Sequence, residues 1–257
     1  MGSPGALSGK VALVTGSGRG IGRAIARQLV EAGARVALVA RSVDQLEATA
    51  EAIRDAGGLG VVVPTDLADQ AAVVSAAERV NEQLGPVDIL VSNAGRVQPV
   101  GSTLGISLTD WARVFAVNVT APLQLAQLLA PGMRDRGWGR IVNVSSGITA
   151  HPEQAPGLNA YAASKAALDA HSRNLASELS GTGVTVNLFW PGSVDTAMQE
   201  AVRTEPTDDV GAVVQEWFRT NHGRGMLITA EESARALLSR LVDSDATGET
   251  WGFPEDQ

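Results

Sequence analysis

An apolar run at 11–15, VALVT, enters the octapeptide TGSGRGIG at 15–22, and a helical pattern follows at once. Glycines at 16, 18, 20 and 22 allow a tight turn and let another group approach the backbone closely. The rest of the chain repeats this strand-to-helix unit. Short β-branched runs stand at 36–40, 61–64, 89–92, 141–144, 184–189 and 250–253. Helical patterns fill 21–32, 43–56, 70–84, 109–136 (interrupted by Pro122 and Pro131), 161–179 and 231–242. Several strand candidates are apolar without alternation, as strands covered on both faces must be. The alternation predicts an α/β Rossmann-type fold: a doubly wound parallel sheet of about seven strands with helices on both faces.

No linker, repeat or low-complexity tract divides the 257 residues, so they read as one domain with ample length for a core. Residues 197–225 read as irregular and are expected to form a lid over a substrate. Hydrophobic residues make up 44% of the chain, enough to fold. A net charge of −8 argues against a nucleic-acid footprint, which needs a basic face. Cysteine is absent, which excludes disulfides and thiolate metal sites, and no metal site is expected. No apolar run is read as a membrane span. The first ten residues, MGSPGALSGK, lack a charged start followed by an apolar core. They read as a flexible lead-in to a soluble cytoplasmic protein.

A glycine-rich turn alone is weak evidence, equally at home in a flexible loop. Here a strand precedes it and a helix follows, so its N–H groups suit a dinucleotide pyrophosphate. The second strand ends in LVARS. A site for NAD usually places a carboxylate there, on the ribose 2′-hydroxyl. This chain has Ala40 and Arg41, and Arg19 lies within the glycine turn. Two guanidiniums and no carboxylate suit a 2′-phosphate, hence NADP(H) rather than NAD(H); the alternative is a solvated surface arginine. After strand three, Asp66 is a candidate acceptor for the adenine amino group, or else, like Asp69, a helix cap. After strand four, Asn93 is placed to brace neighbouring strands, while Ala94 and Gly95 let a cofactor pass.

Strand five delivers Ser145 and Ser146 to the same sheet edge. Tyr161, the chain's sole tyrosine, follows, and Lys165 comes four residues later, on the same face if the segment is helical. A free phenol has a pKa of about 10, poorly matched to proton transfer at neutral pH. A neighbouring ammonium is expected to lower it. The competing reading is a core tyrosine beside a solvated lysine. Upstream, Ser107 and Asp110 suggest a capping box. Pro122 lacks the N–H that would bond the Asn118 carbonyl, so the helix should distort there. The freed carbonyl would hold a water, or the kink would only serve packing.

Together these residues resemble the short-chain dehydrogenase/reductase superfamily in its compact single-domain branch. The pattern comprises Thr15-Gly16, Gly20-Ile21-Gly22, Asp66, Asn93-Ala94-Gly95, Asn118, Ser146, Tyr161, Lys165, Pro191-Gly192 and Thr196, in that order. The resemblance implies that Tyr161 is the general acid in reduction and Ser146 binds the substrate oxygen. It implies that Lys165 holds the nicotinamide ribose and that Asn118 anchors a water. Cofactor contacts are implied for Gly16, Ser17, Gly18, Arg19, Gly20, Ile21, Arg41, Asp66, Leu67, Asn93, Ala94, Gly95, Tyr161 and Lys165. Pro191, Gly192, Val194 and Thr196 would contact the nicotinamide half. Relatives are commonly tetramers or dimers, paired through helices that here begin near Thr109 and Tyr161. The small surface of Ala162, Ala163, Ala166, Ala167 and Ala170 would permit such an approach.

Two departures stand out. The Ser146–Tyr161 connection is longer than in many relatives, around 151–156, which should bear on pocket access. The TGETWGFPEDQ tail lacks the double-glycine strand of many 3-oxoacyl-carrier-protein reductases. Within the lid segment Met198, Trp217 and Phe218, with Met226 beyond and Trp190 before it, suit an apolar substrate. The leading expectation is an NADPH-dependent reductase of a ketone or aldehyde. Alternatives are a 3-oxoacyl thioester reductase, a non-catalytic NADP-binding sensor, and, least favoured by chain length, an extended-branch epimerase.

Overall fold

A computed structural model describes residues 5–253. Seven parallel strands form one sheet in the order β3-β2-β1-β4-β5-β6-β7. They are β1 (Val11–Thr15), β2 (Arg35–Ala40), β3 (Gly60–Pro64), β4 (Ile89–Ser92), β5 (Gly139–Val144), β6 (Val184–Trp190) and β7 (Thr250–Gly252). The order reverses at β1, so β1 and β4 begin the two halves and a crevice opens at their carboxyl ends.

One face carries α1 (Gly20–Glu31), α2 (Val43–Asp55) and α9 (Ala230–Asp243). Leu29, Leu46, Ile53 and Leu237 from these helices bury against Leu38, Ile89 and Phe189 of the sheet. The other face carries α3 (Gln70–Leu84), α5 (Ala121–Asp135) and α6 (Asn159–Glu178). Val80, Leu125 and Met133 pack there on Leu13, Leu90 and Ile141. Consecutive strand residues therefore enter opposite cores, which is why β1 and β4 are buried at every position and apolar at all but their last residues, Thr15 and Ser92. Each large aliphatic side chain buried this way contributes about 1.5–3 kcal/mol.

Several expectations need correction. Residues 197–225 are not irregular: they form α7 (Ala197–Thr204) and α8 (Asp209–Gly223). Thr196 caps the first through Gln199 N, and Asp208 caps the second through Gly211 N. Of the lead-in, residues 1–4 lie outside the described region. The remainder is anchored: Leu7 is buried and its N–H donates to the Ala32 carbonyl at 2.8 Å. The apolar run was also underestimated, since Leu108–Asp135 is long and apolar enough, by length and composition, to cross a membrane. Its Val114, Leu125 and Met133 instead fill the interior of this fold.

That run is α4 (Leu108–Phe115), a π segment (Ala116–Thr120) and α5. Pro122 offers no N–H to the Asn118 carbonyl, and the helix widens at that point. Ser107 caps α4 by accepting from Asp110 N at 3.0 Å. Its hydroxyl donates to the Asp110 carboxylate at 2.7 Å, so the reciprocal backbone bond of a full capping box is replaced by a side-chain one.

Candidate active site

The carboxyl ends of β1–β6 open into one cleft of about 1090 Å³. Its wall includes Gly16, Gly18, Arg19, Gly20, Ile21, Arg41, Asp66, Leu67, Asn93, Ala94, Gly95, Tyr161, Lys165, Pro191 and Thr196 from the sequence pattern. Ser17, Asn118, Ser146, Gly192 and Val194 are not on that wall. Ser17 is fully buried behind the turn. Asn118 is fully buried behind the Gly95–Lys165 end, while Val194 bridges Ile228 and Gly192 packs near Phe253.

The glycine turn is a cradle that side chains would fill. A Cβ at Gly16 would lie 2.8 Å from Asn93 Nδ2, and one at Gly22 only 2.3 Å from the Gly16 carbonyl oxygen. Gly16 and Gly20 both have positive φ. Asn93 closes the turn from beneath by donating through Nδ2 to the Thr15 carbonyl at 2.9 Å. Thr15, which sequence reasoning gave no role, accepts from the N–H groups of Asn93 and Ala94 through its hydroxyl, each at 3.0 Å. The turn thus presents backbone N–H groups at the start of α1, a setting suited to a dinucleotide pyrophosphate.

At the outer end Arg19 and Arg41 share the wall with Ser42 and Gln45. Asp66 accepts from Ala68 N at 3.1 Å and faces Arg113 at 3.6 Å. The cap of α3 is Asp69, through Ala71 N and Ala72 N.

At the inner end Tyr161 and Lys165 stand one turn apart on α6. Lys165 is buried and donates to the Val144 carbonyl at 2.7 Å. Its Nζ lies 5.8 Å from the Tyr161 ring centre. Burial lowers Lys165 to about 8, with Asp169 pulling upward. For Tyr161 the expected direction is wrong. Burial pushes the phenol up, and the opposing influence is the hydrogen bond with Ser146, not the ammonium.

Asn118 joins three elements. Its Oδ1 accepts from Arg96 N at 2.8 Å. Its Nδ2 lies 3.0 Å from the Arg96 carbonyl and 2.9 Å from Ser164 Oγ. Ser164 in turn donates to the Tyr161 carbonyl at 2.7 Å. Ser164 and Asp169 escaped the sequence reading, although the four-residue face rule, applied once past Lys165, reaches Asp169.

The lid reading is narrowed. Met198 lines the cleft, with its Cε beside Gly95. Trp217 and Met226 are exposed, and Trp190 is not on the wall. Residues 151–157 do not line the cleft either. They pack toward α8, where Gly157 abuts Gly211. On α6, Ala162 is buried inside the protomer and cannot belong to a docking surface, whereas Ala166 and Ala170 are exposed. Among the described residues no group of three acidic, histidine or cysteine side chains is placed to hold a metal ion.

The sequence profile of the family described as short chain dehydrogenase matches residues 10–207. A short chain dehydrogenase of Pseudocercospora fijiensis is 38% identical over 205 residues, 78% of this chain and 65% of that protein. The ketoacyl reductase HetN of Nostoc is 36% identical over 188 residues, 73% of this chain and 64% of its own length. The chain thus spans just under two thirds of these relatives. A blue fluorescent protein from a metagenomic library, solved with NADPH, superposes with a TM-score of 0.83 at 33% identity, covering 96% of this chain and 97% of that one. An NAD+-bound xylitol dehydrogenase gives 0.83 at 26% identity, covering 96% and 98%.

Proposed function

The chain belongs to the short-chain dehydrogenase family, and on that premise we propose that it is an NADPH-dependent reductase converting a ketone or aldehyde to an alcohol, reversibly. The observation that carries this reading is one cleft joining the Arg19–Arg41 end to the Tyr161–Lys165 end. Bound NADP(H) would supply or accept the hydride. Arg19 and Arg41 would pair with its 2′-phosphate, and the glycine turn would hold its pyrophosphate. Gly95, Pro191 and Thr196 would flank its nicotinamide half, with Gly192 and Val194 set behind that wall.

Tyr161 gives its phenolic proton to the carbonyl oxygen in reduction and takes it back in oxidation. Burial supports that role by holding the phenol protonated at neutral pH. Ser146, bonded to Tyr161, orients the same oxygen. Lys165, as an ammonium, would donate to the ribose of the bound cofactor and would stabilise the phenolate as it forms. Asn118 fixes the widened helix turn whose freed carbonyl can seat a water behind Lys165.

A 3-oxoacyl thioester reductase is the second reading, favoured by the likeness to a ketoacyl reductase. The same proposal takes α7 and α8 as a substrate lid and the protein as soluble and cytoplasmic. It takes the exposed surface of α5 and α6 as the face for a homodimer or homotetramer.

NADPH oxidation measured across ketones, aldehydes, quinones and 3-oxoacyl thioesters tests the proposal and separates its readings. Tyr161→Phe should reduce turnover at least a thousandfold with NADPH binding nearly unchanged. Unchanged turnover would refute the chemistry.

A further inference from the structure

Asp169 is a buried carboxylate that the reductase chemistry above does not use. It is 4% exposed, one helical turn beyond Lys165 on α6. Both of its oxygens are engaged. Ser145 Oγ donates to Oδ1 in a short hydrogen bond. Thr149 Oγ1 lies 2.9 Å from Oδ2 and 3.0 Å from the Ser146 carbonyl oxygen, a shared donor tying the two together. Ser145 and Thr149 bracket Ser146, which itself caps the short 3-10 turn Gly147–Thr149 through Ile148 N at 3.4 Å. One carboxylate therefore grips the connection that carries Ser146 from both sides. On its own helix it lies one turn after Lys165 and one turn before Arg173, which approaches it to 3.9 Å.

A carboxylate with so little solvent is costly unless its charge is answered. Arg173 is half exposed and distant for an ion pair. Two hydroxyl donors and the neighbouring ammonium must supply the rest. The other surroundings of Lys165 add little counter-charge. β5 offers the neutral Val144 carbonyl, and the π segment offers Asn118. Tyr161 on α6 is neutral when protonated. From the β4–α4 loop Arg96 lines the same cleft, already 3.9 Å from Asp110, and the lid brings Glu200 and Glu205 to the wall.

We propose that Asp169 is a positioning residue of the reaction centre, holding the Ser146 connection in place and supplying the counter-charge that keeps Lys165 an ammonium. The inference rests on the reductase reading for its catalytic meaning, but its electrostatic core does not need turnover to be measured. The raising influence of Asp169 on Lys165 agrees with it. Tyr161, Lys165 and Asp169 then form one face at four-residue spacing: proton donor, cation and anion.

Lys10 and Lys165 are the chain's two lysines. Labelling with [ε-13C]lysine therefore gives two resonances, distinguished by Lys10→Arg. In the whole protein without ligand, the Lys165 signal should titrate near 8. In Asp169→Asn its midpoint should fall by about one unit, a tenfold loss in the ammonium-to-amine ratio, since removing an anion disfavours the nearby cation. Arg173→Ala, a surface change that spares the fold, should move the midpoint up by a few tenths because the carboxylate loses its outer counter-ion. If Asp169→Asn does not fold, Arg173→Ala decides. A Lys165 midpoint unmoved in the folded variants overturns the proposal, whatever happens to thermal stability. Turnover adds a second readout: the alkaline limb should shift with the midpoint in Asp169→Asn, and a uniform loss at every pH would refute the counter-charge role. Failure of the wild type to oxidise NADPH with any carbonyl would instead count against the reductase reading, leaving the midpoints to judge Asp169.

Discussion

Lys165 is the residue whose protonation most directly controls the proposed chemistry. Burial lowers it to about 8 against an ordinary 10.5. Between those values the unfolded chain binds more protons than the folded one, so this group makes stability rise with pH across that window. The cost of keeping the ammonium buried is on the order of 3 kcal/mol at neutral pH, and it is relieved as pH rises past 8. Lys165→Met should therefore melt at a temperature whose difference from wild type, in favour of the variant, declines steadily from pH 7.5 to 10. A difference independent of pH would contradict the assignment. Turnover should move oppositely, falling above about pH 8 as the ammonium is lost. At the other end of the cleft, Arg41→Ala should weaken NADPH at least tenfold and NADH little, by direct titration, because only NADPH carries the phosphate the guanidinium would pair with. Equal losses would show a surface role. The Tyr161–Lys165 spacing and the arginine pair were legible in the sequence because each depends on local helix or loop geometry. The direction of the Tyr161 shift was not. It depends on how much water the surrounding loops and lid remove, and no spacing rule contains that.

At the level of the elements, the sheet was readable almost strand by strand, since unbroken apolar runs belong to strands buried on both sides. The helices on its faces were equally readable from their period. The failure came at α7 and α8. Their apolar pairs, Met198 and Val202 on α7 and Val214 and Phe218 on α8, fill only a small satellite core, and α8 also exposes Val213 and Trp217, so the periodic signal is short and mixed with charges. Their caps, Thr196 and Asp208, were the available signal. Pro122 predicted distortion at Asn118, and the π segment is that distortion. What the proline could not announce is the side chain's reach: Asn118 fastens the β4–α4 loop to α6 through Arg96 and Ser164. Asn118→Ala takes a partner from Arg96 N, the Arg96 carbonyl and Ser164 Oγ, on two elements at once. It should destabilise the fold by about 2 kcal/mol or more and slow turnover by a larger factor than it changes NADPH affinity. Chemical denaturation and steady-state kinetics on the same preparation measure both. Full activity would reduce the kink to a packing feature.

Across the whole molecule, chemistry gathers at one edge because parallel strands all deliver their carboxyl ends there. The proposed lid, α7 and α8, is fastened to the far side of that edge by contacts distant in sequence. Gln98 donates to Glu205 at 2.9 Å, Thr207 to the Val100 carbonyl at 2.8 Å, and Ser102 N to Asp208 at 2.8 Å. Gly101 N reaches across to the Gly157 carbonyl at 2.8 Å, so the loop before α6 joins the same fastening. Asp208 caps α8 while gripping the β4–α4 loop. Backbone N–H groups of Gly211 and then Ser102 hold its carboxylate below the ordinary 3.8. The share that Asp208 contributes is thus complete above that value and weakens as pH falls through the lower folded one. At neutral pH Asp208→Ala should mimic the acid state. Amide exchange in 197–223 should quicken several-fold while the strands β1, β4 and β5 keep their protection, because the lid shares no core with them. KM for the carbonyl substrate should rise with NADPH affinity preserved. Exchange that quickens across the sheet as well would mean that lid and core open as one unit, and the lid would then have no separate motion to give to substrate entry.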